Sequence, residues 1–264
     1  MAKIHPFSVV DPLAELADDV VVGPFCVIGP HVKIGAGTEL ISHVNVHGYT
    51  EIGERNRIFP NASIGCEPQD KKYNGEPTRL VIDDNVIREH VTISTGTTQD
   101  HGITVVGSRN LFMANAHIAH DCIVGNDTIL ANNVGLAGHS VVADRAILGG
   151  QAGVHQFCRI GEGAMVGGGS ILLMDVPPFV ICNGNPAEPH GLNIVGLRRA
   201  GFDLKALNAF KAAYKVIYRD GLTIAEAVTA LTVLIENNPH VARELTLMRD
   251  FIASSQRGII RPKN

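Results

Sequence analysis

Between residues 117 and 156 the chain gathers His117, His120, Asp121, His139, His155 and Gln156. Their spacing is regular. His120, Gly138 and Gln156 lie 18 residues apart, and so do Asp121 and His139. A fold that lines up every eighteenth residue would collect four histidines, an aspartate and a glutamine within three successive turns. Stacked imidazoles repel one another when charged, so a merely solvated surface accounts poorly for the set. Histidine is the commonest transition-metal ligand, which makes metal binding one chemistry to weigh. A cysteine nucleophile is another, because Cys122 stands two residues from His120.

The positioning elements come from a repeat. Apolar residues recur every six positions from Ile4 to Ile64, return at Val81, Ile87 and Ile93, and run again from Val106 through Phe112 and Ile118 to Leu172. Four residues after each comes a small or compact one, as at Cys26, Val44, Ala116, Cys122, Val134, Ser140, Ala152 and Cys158. Glycine often follows the apolar residue directly. A period of six suits neither a helix nor a plain alternating strand. It does suit one short strand and one corner per hexad, with three hexads closing an 18-residue triangular coil. Coils then stack at the inter-strand spacing of about 4.8 Å. The 26 hexads make eight to nine coils. In this arrangement Cys26, Cys122 and Cys158 face inward as core filler, and Cys122 points away from His120.

Two lapses, Gly65–Leu80 and Ser94–Val105, are expected loops leaving the prism, and long loops in a compact domain are commonly functional. Asp175-Val-Pro-Pro178 ends the repeat. Residues 1–190 are therefore the expected repeat domain and residues 191–264 a helical domain capping it. The helical stripes are Leu204, Leu207, Phe210, Ala213, Tyr214 and Val216–Ile217, then Ala225, Val228, Leu231 and Ile235, then Leu245, Met248 and Ile252.

Composition narrows the function classes. A net charge of −4 gives no general reason to expect nucleic-acid binding. Five cysteines without C-x-x-C spacing argue against a complete disulfide framework. No apolar run approaches the roughly 18 residues that span a bilayer, and Met1–Val10 lacks the pattern of a signal peptide. A cytoplasmic protein, not embedded in a membrane, is expected. Gly167–Gly169 opens no helix after a strand, so it is not read as a phosphate loop.

The hexads resemble those of the left-handed parallel β-helix proteins. More specifically, Asn115-Ala-His-Ile-Ala-His-Asp121, Leu136-Ala-Gly-His139 and Val154-His-Gln-Phe157 resemble segments of the UDP-N-acetylglucosamine O-acyltransferase family of lipid A synthesis in Gram-negative bacteria. Gln69-Asp70-Lys-Lys-Tyr73, Gly75-Glu-Pro-Thr-Arg79, Gly184-Asn185, Gly191-Leu-Asn-Ile194 and Ser255-Gln-Arg-Gly-Ile-Ile-Arg261 extend the resemblance over essentially the whole chain. It implies transfer of an (R)-3-hydroxyacyl group from acyl carrier protein to the sugar 3-OH of UDP-N-acetylglucosamine, without cofactor, metal or covalent intermediate. His120 would be the general base, Asp121 its orienting partner and the Gly138 N–H the oxyanion donor. Asp70, Lys72, His117, His139, His155 and Gln156 would contact substrate, with Asn193 and Arg199 on the nucleotide. Asn132, Gly150 and Gly168 would line the acyl groove, Gly168 setting chain length.

A homotrimer with sites between subunits is also expected, because flat prism faces expose a broad surface and the Gly65–Leu80 loop carrying Asp70 must reach a neighbour to join the His120 column. Three positions depart from the family pattern. Val195 stands where relatives commonly place Glu, Ala200 where many carry a second Arg, and Ser94 where a His is often found. The γ-class carbonic anhydrases share the fold and bind metal between subunits. Their pattern needs histidines five apart, whereas His117 and His120 are three apart, so no metal is expected. Relatives that acylate a sugar nitrogen or use acyl-CoA carry a domain before the hexads, which here start at Ile4. A purely structural β-helix would not need clustered histidines.

Overall fold

The computed structural model of the protein describes residues 1–262. Among them, 26 strands of two to four residues run from Lys3–Ile4 to Ile171–Leu172 and form three parallel sheets. The first face begins at Lys3–Ile4, the second at Val9–Val10 and the third at Glu15–Leu16. Each strand pairs with the one three strands earlier, so a coil comprises one strand from each face. In regular coils the register offset is 18, as in His117↔Gly135↔Gly153↔Ile171 on the second face.

The hexad drives this winding by burying its apolar residue. Ile28, Leu40, Ile58, Ile64, Phe112, Ile118, Leu130 and Leu148 are all at most 1% exposed. Burying one such side chain is worth roughly 1.5–3 kcal/mol, so a register slip along many coils is heavily penalised. The compact register fills the remaining space with Cys26, Val44, Ala116, Cys122, Val134 and Ala152. At the first coil the core opens to solvent, and Ile4 is 46% exposed.

The repeat differs from expectation at one apolar position. Val81 faces outward, and Ile82 fills the core in register with Ile52 and Val106. The corner at Asp83-Asp84 is one residue short, so Ile87 follows Ile82 by five positions instead of six. At this level the compact register holds Asn56, Asn85 and Asn110, all buried. Each Oδ1 accepts the backbone N–H of the next coil, at 3.0, 3.0 and 2.7 Å for Asn85, Asn110 and Thr128. These asparagines are satisfied internally, as buried polar groups must be.

Residues 67–78 and 95–102 leave the prism. At the other end, Val180–Gly184 pairs with Met165–Val166 and turns back as the hairpin strand Ala187–Leu192. Helices α1 (Ile194–Arg199), α2 (Leu204–Tyr218), α3 (Ile224–Asn237) and α4 (Ala242–Ala253) follow. Phe210 of α2 packs on Phe179 at the prism's end. Asp203 caps α2, and Thr223 with Glu226 forms a capping box on α3. Leu204 and Ala225 are exposed in the first turns of their helices, and Ala206 and Ala227 are buried there instead. Two buried carboxylates tie the helices to the prism. Asp175 accepts from Arg159 at 3.0 Å and Ser255 at 2.8 Å, and Glu162 pairs with Arg145 and Arg243.

Candidate active site

The second and third faces meet at a corner that carries His120, Gly138 and Gln156 in one column. Stacking sets this directly, because the N–H of His139 donates to the carbonyl of His120 at 3.0 Å and that of Phe157 to Gly138 at 3.2 Å. Asp121, His139 and Phe157 occupy the next position of the corner, all with positive φ between 58° and 65°. This backbone conformation throws their side chains together on the outside.

His120 Nδ1 lies 2.9 Å from Asp121 Oδ2, and the Asp121 side chain is fully buried. Thr97 supplies two further donors to that carboxylate, its N–H to Oδ1 at 2.9 Å and its hydroxyl to Oδ2 at 2.6 Å. The Asp121 N–H in turn donates to Thr104 Oγ1 at 2.9 Å. With Asp121 accepting from Nδ1, the ring proton sits on Nδ1 and Nε2 keeps a free lone pair. Gly138 lies against that edge of the ring. A Cβ there would stand 2.4 Å from His120 Cε1 and 2.6 Å from Nε2, so any side chain would displace the imidazole. Among the described residues the Gly138 N–H has no hydrogen-bond partner.

His139 forms a second pair, its Nδ1 2.7 Å from Asp100 Oδ2. It stands edge-on to His120 at 5.0 Å and stacks on Phe157 at 4.3 Å. His117 points out from the second face, bonded to Thr92 Oγ1 at 2.7 Å. Burial, and then the neighbouring His120, push its imidazole below the usual histidine range.

A cleft of about 1160 Å³ joins His120, His139 and Gln156 with Asp70, Lys71 and Lys72. The loop carrying Asp70 therefore folds over the His120 column of its own chain and does not need a neighbour to reach it. Asp70 shapes its own turn by accepting the Lys72 N–H at 2.9 Å, and both lysines lack an ion-pair partner among the described residues. His155 is exposed beside this cleft, its Nδ1 3.1 Å from the Gln156 carbonyl. Asn193 and Arg199 lie elsewhere, in a pocket of about 110 Å³ at the corner between the third and first faces. Asn193 caps α1 through the Gly196 N–H and donates to the Gly163 carbonyl at 3.1 Å. Asn132, Gly150 and Gly168 form a column at the remaining corner, between the first and second faces. Sequence reasoning missed Thr97, Asp100 and Thr104, whose offsets from the site residues fall outside the 18-residue period.

Comparison with known proteins places this arrangement. Residues 103–138 match the profile described as bacterial transferase hexapeptide (six repeats), and residues 175–260 match Udp N-acetylglucosamine O-acyltransferase, domain 2. The acyl-[acyl-carrier-protein]–UDP-N-acetylglucosamine O-acyltransferase of Thiobacillus denitrificans is 55% identical over 264 residues, covering 99% of this chain and all of that one. The chain belongs to the UDP-N-acetylglucosamine O-acyltransferase family. Solved structures agree. LpxA from Acinetobacter baumannii is similar with TM-score 0.94, and the UDP-N-acetylglucosamine O-acyltransferase of Moraxella catarrhalis with 0.93. Each is 48% identical and covers 98% of this chain and 99% of its own. The prism is accordingly the left-handed parallel β-helix of this acyltransferase family. Of the family departures, Val195 is exposed in α1, Ala200 is its C-cap, and Ser94 is buried opposite Cys66 at the foot of the 95–102 loop.

Proposed function

We propose that this chain transfers an (R)-3-hydroxyacyl group from acyl carrier protein to the 3-OH of UDP-N-acetylglucosamine, in the cytoplasm, as the first step of lipid A biosynthesis. The observation that carries the mechanism is the His120–Asp121 pair lying over the Gly138 backbone. His120 Nε2 takes the proton of the sugar hydroxyl as its oxygen attacks the thioester carbonyl. Asp121 favours the imidazolium that forms, and the Gly138 N–H stabilises the oxyanion. The carrier's sulfur leaves and recovers the proton from His120. Some other corner N–H groups, those of Asn132, Gly150 and Gly168, also lack a partner among the described residues, so what distinguishes Gly138 is its place beneath the base.

Direct transfer is favoured over an acyl-enzyme by the state of Cys122. Its side chain is in the core, and burial pushes its thiol up to about 12. Such a thiol is neither ionised nor accessible at neutral pH.

The cleft is suited to the sugar and pyrophosphate. Lys72 offers positive charge and Asp70, His139 and Gln156 offer hydrogen bonds within it, while His117 and His155, outside its lining, would add further ones. Arg199 suits a nucleotide phosphate by its fork of donors, but it stands at another corner from His120, with Asn193. A homotrimer resolves this separation by presenting the Asn193–Arg199 corner of one subunit to the His120 corner of the next. Outward apolar residues on the first and third faces, Leu111, Ile129, Ile147 and Met165 with Ile123 and Val141, supply surfaces for such contacts. Cyclic closure gives three equivalent sites.

The acyl chain would run from His120 across the second face, where Gly135 and Gly153 replace side chains in line with His117. It would end at the Asn132–Gly150–Gly168 column. Gly168 does not have positive φ, and a Cβ there would stand 3.2 Å from the Gly150 carbonyl oxygen. The corner therefore accepts a side chain with a small adjustment, so glycine at 168 leaves space for the chain and is not demanded by the backbone.

Three outcomes are expected. His120→Ala should lose on the order of 10²-fold or more in turnover while keeping its fold, with the sugar ester followed by mass spectrometry; near-normal ester formation would move the base elsewhere. Light scattering should give a trimeric mass, and a monomer with full turnover would contradict the shared site. Gly168→Met should shift donor preference toward shorter chains, each excluded methylene costing roughly 1–3 kcal/mol. An unchanged chain-length profile in a folded Gly168→Met variant would place the ruler elsewhere.

A further inference from the structure

The imidazoles of His120 and His139 turn their Nδ1 atoms toward the same carboxylate oxygen. Asp121 Oδ2 is 2.9 Å from His120 Nδ1 and 3.9 Å from His139 Nδ1, and Asp100 Oδ2 is 2.7 Å from His139 Nδ1. The ligand atoms of His120, Asp121 and His139 all lie within 4.8 Å of one another. A tetrahedral zinc ion bound at about 2.0–2.1 Å separates its ligands by about 3.3 Å. The spacings found here bracket that value, so small side-chain rotations suffice to seat an ion.

The surroundings are those of a metal site. Thr97 already holds Asp121 through its N–H and hydroxyl, and Phe157 stacks flat on His139, so two of the ligands are oriented from outside. His120 and His139 are 12% and 13% exposed on the wall of the open cleft, which gives an ion a way in.

We propose that His120, Asp121, His139 and Asp100 form a zinc-binding site that switches the enzyme off. The donor set is two imidazole nitrogens and two carboxylate oxygens, which suits zinc and not magnesium. The linear interval of three between His117 and His120 conceals it, because the ligands come from adjacent coils and a loop. Coordination uses the Nδ1 lone pair of each ring, so the proton of a neutral imidazole moves from Nδ1 to Nε2. Nε2 is the atom that takes the sugar proton in the function proposed above. Once protonated it cannot do so. The inhibitory half rests on that function, whereas binding of the ion does not.

The test uses the full chain, stripped by a chelator and titrated with zinc chloride by calorimetry, alongside Asp100→Asn and His139→Gln with folding checked by circular dichroism. The expected result is one zinc per chain, no heat with magnesium, and affinity weakened at least about tenfold in each variant. Cobalt in place of zinc should give the intense visible bands of a tetrahedral ion. Turnover, scaled to each protein's own metal-free rate, should fall with the same zinc dependence as binding. Failure to saturate at one zinc per chain would overturn the site, and so would affinities unchanged in both variants. An undiminished rate with zinc bound at this site would overturn the inhibition, and the turnover of metal-free His120→Ala separates the two failures: a loss of about 10²-fold keeps His120 as the base, and near-normal turnover removes it.

Discussion

Everything at the candidate site depends on parallel coil-on-coil hydrogen bonding with a fixed offset of 18 residues. A backbone N–H in one coil meets a carbonyl of an adjacent coil at 2.8–3.2 Å, as for His117 with Val134 and Ala119 with Leu136 in the next coil and Phe157 with Gly138 in the preceding one. Residues far apart in sequence thereby become vertical neighbours at the strand spacing. No side chain has to be recruited from a distant element. The His120 ring reaches the Gly138 backbone only because position 138 is one coil further along the same corner and lacks a side chain.

The stack also explains how polar chemistry sits on an apolar prism. Inside, aliphatic side chains and a few satisfied groups, such as the Asn56–Asn85–Asn110 ladder, hold the register. Outside, the corner residues with positive φ fan Asp121, His139 and Phe157 into one surface. The two loops finish the cleft from above. Thr97 and Asp100 come from one, Asp70 and Lys72 from the other. The prism supplies rigidity and the loops supply donors and charge, which is the division of labour expected of a rigid scaffold with functional loops.

How much of this was legible follows from the same periodicity. The prism, its 26 hexads and the His120–Gly138–Gln156 column could be read directly, because a repeat makes position in sequence a coordinate in space. Val81 keeps the hexad spacing to Ile87 yet faces outward, because the Asp83-Asp84 corner drops one residue and shifts the phase to Ile82. Thr97 and Asp100 escaped for a related reason. They lie 24 and 39 residues from their partners Asp121 and His139, and no period links a loop to a coil. The path of the Asp70 loop was likewise invisible, since nothing in its spacing tells whether it covers its own chain or a neighbour. Leu204 and Ala225 fit the helical period, yet each is exposed in the first turn of its helix, where Ala206 and Ala227 are buried instead.

The central claim is that stacking holds His120 as the tautomer with its proton on Nδ1, directed at Asp121, and its Nε2 lone pair free above Gly138. Nitrogen-15 NMR of histidine-labelled enzyme at a pH where His120 is neutral reads this directly. The account predicts a protonated Nδ1 and an unprotonated, pyridine-like Nε2, with the pattern lost in Asp121→Ala. A proton resident on Nε2 in the unliganded enzyme would contradict it, because the atom that must accept the hydroxyl proton would already be occupied.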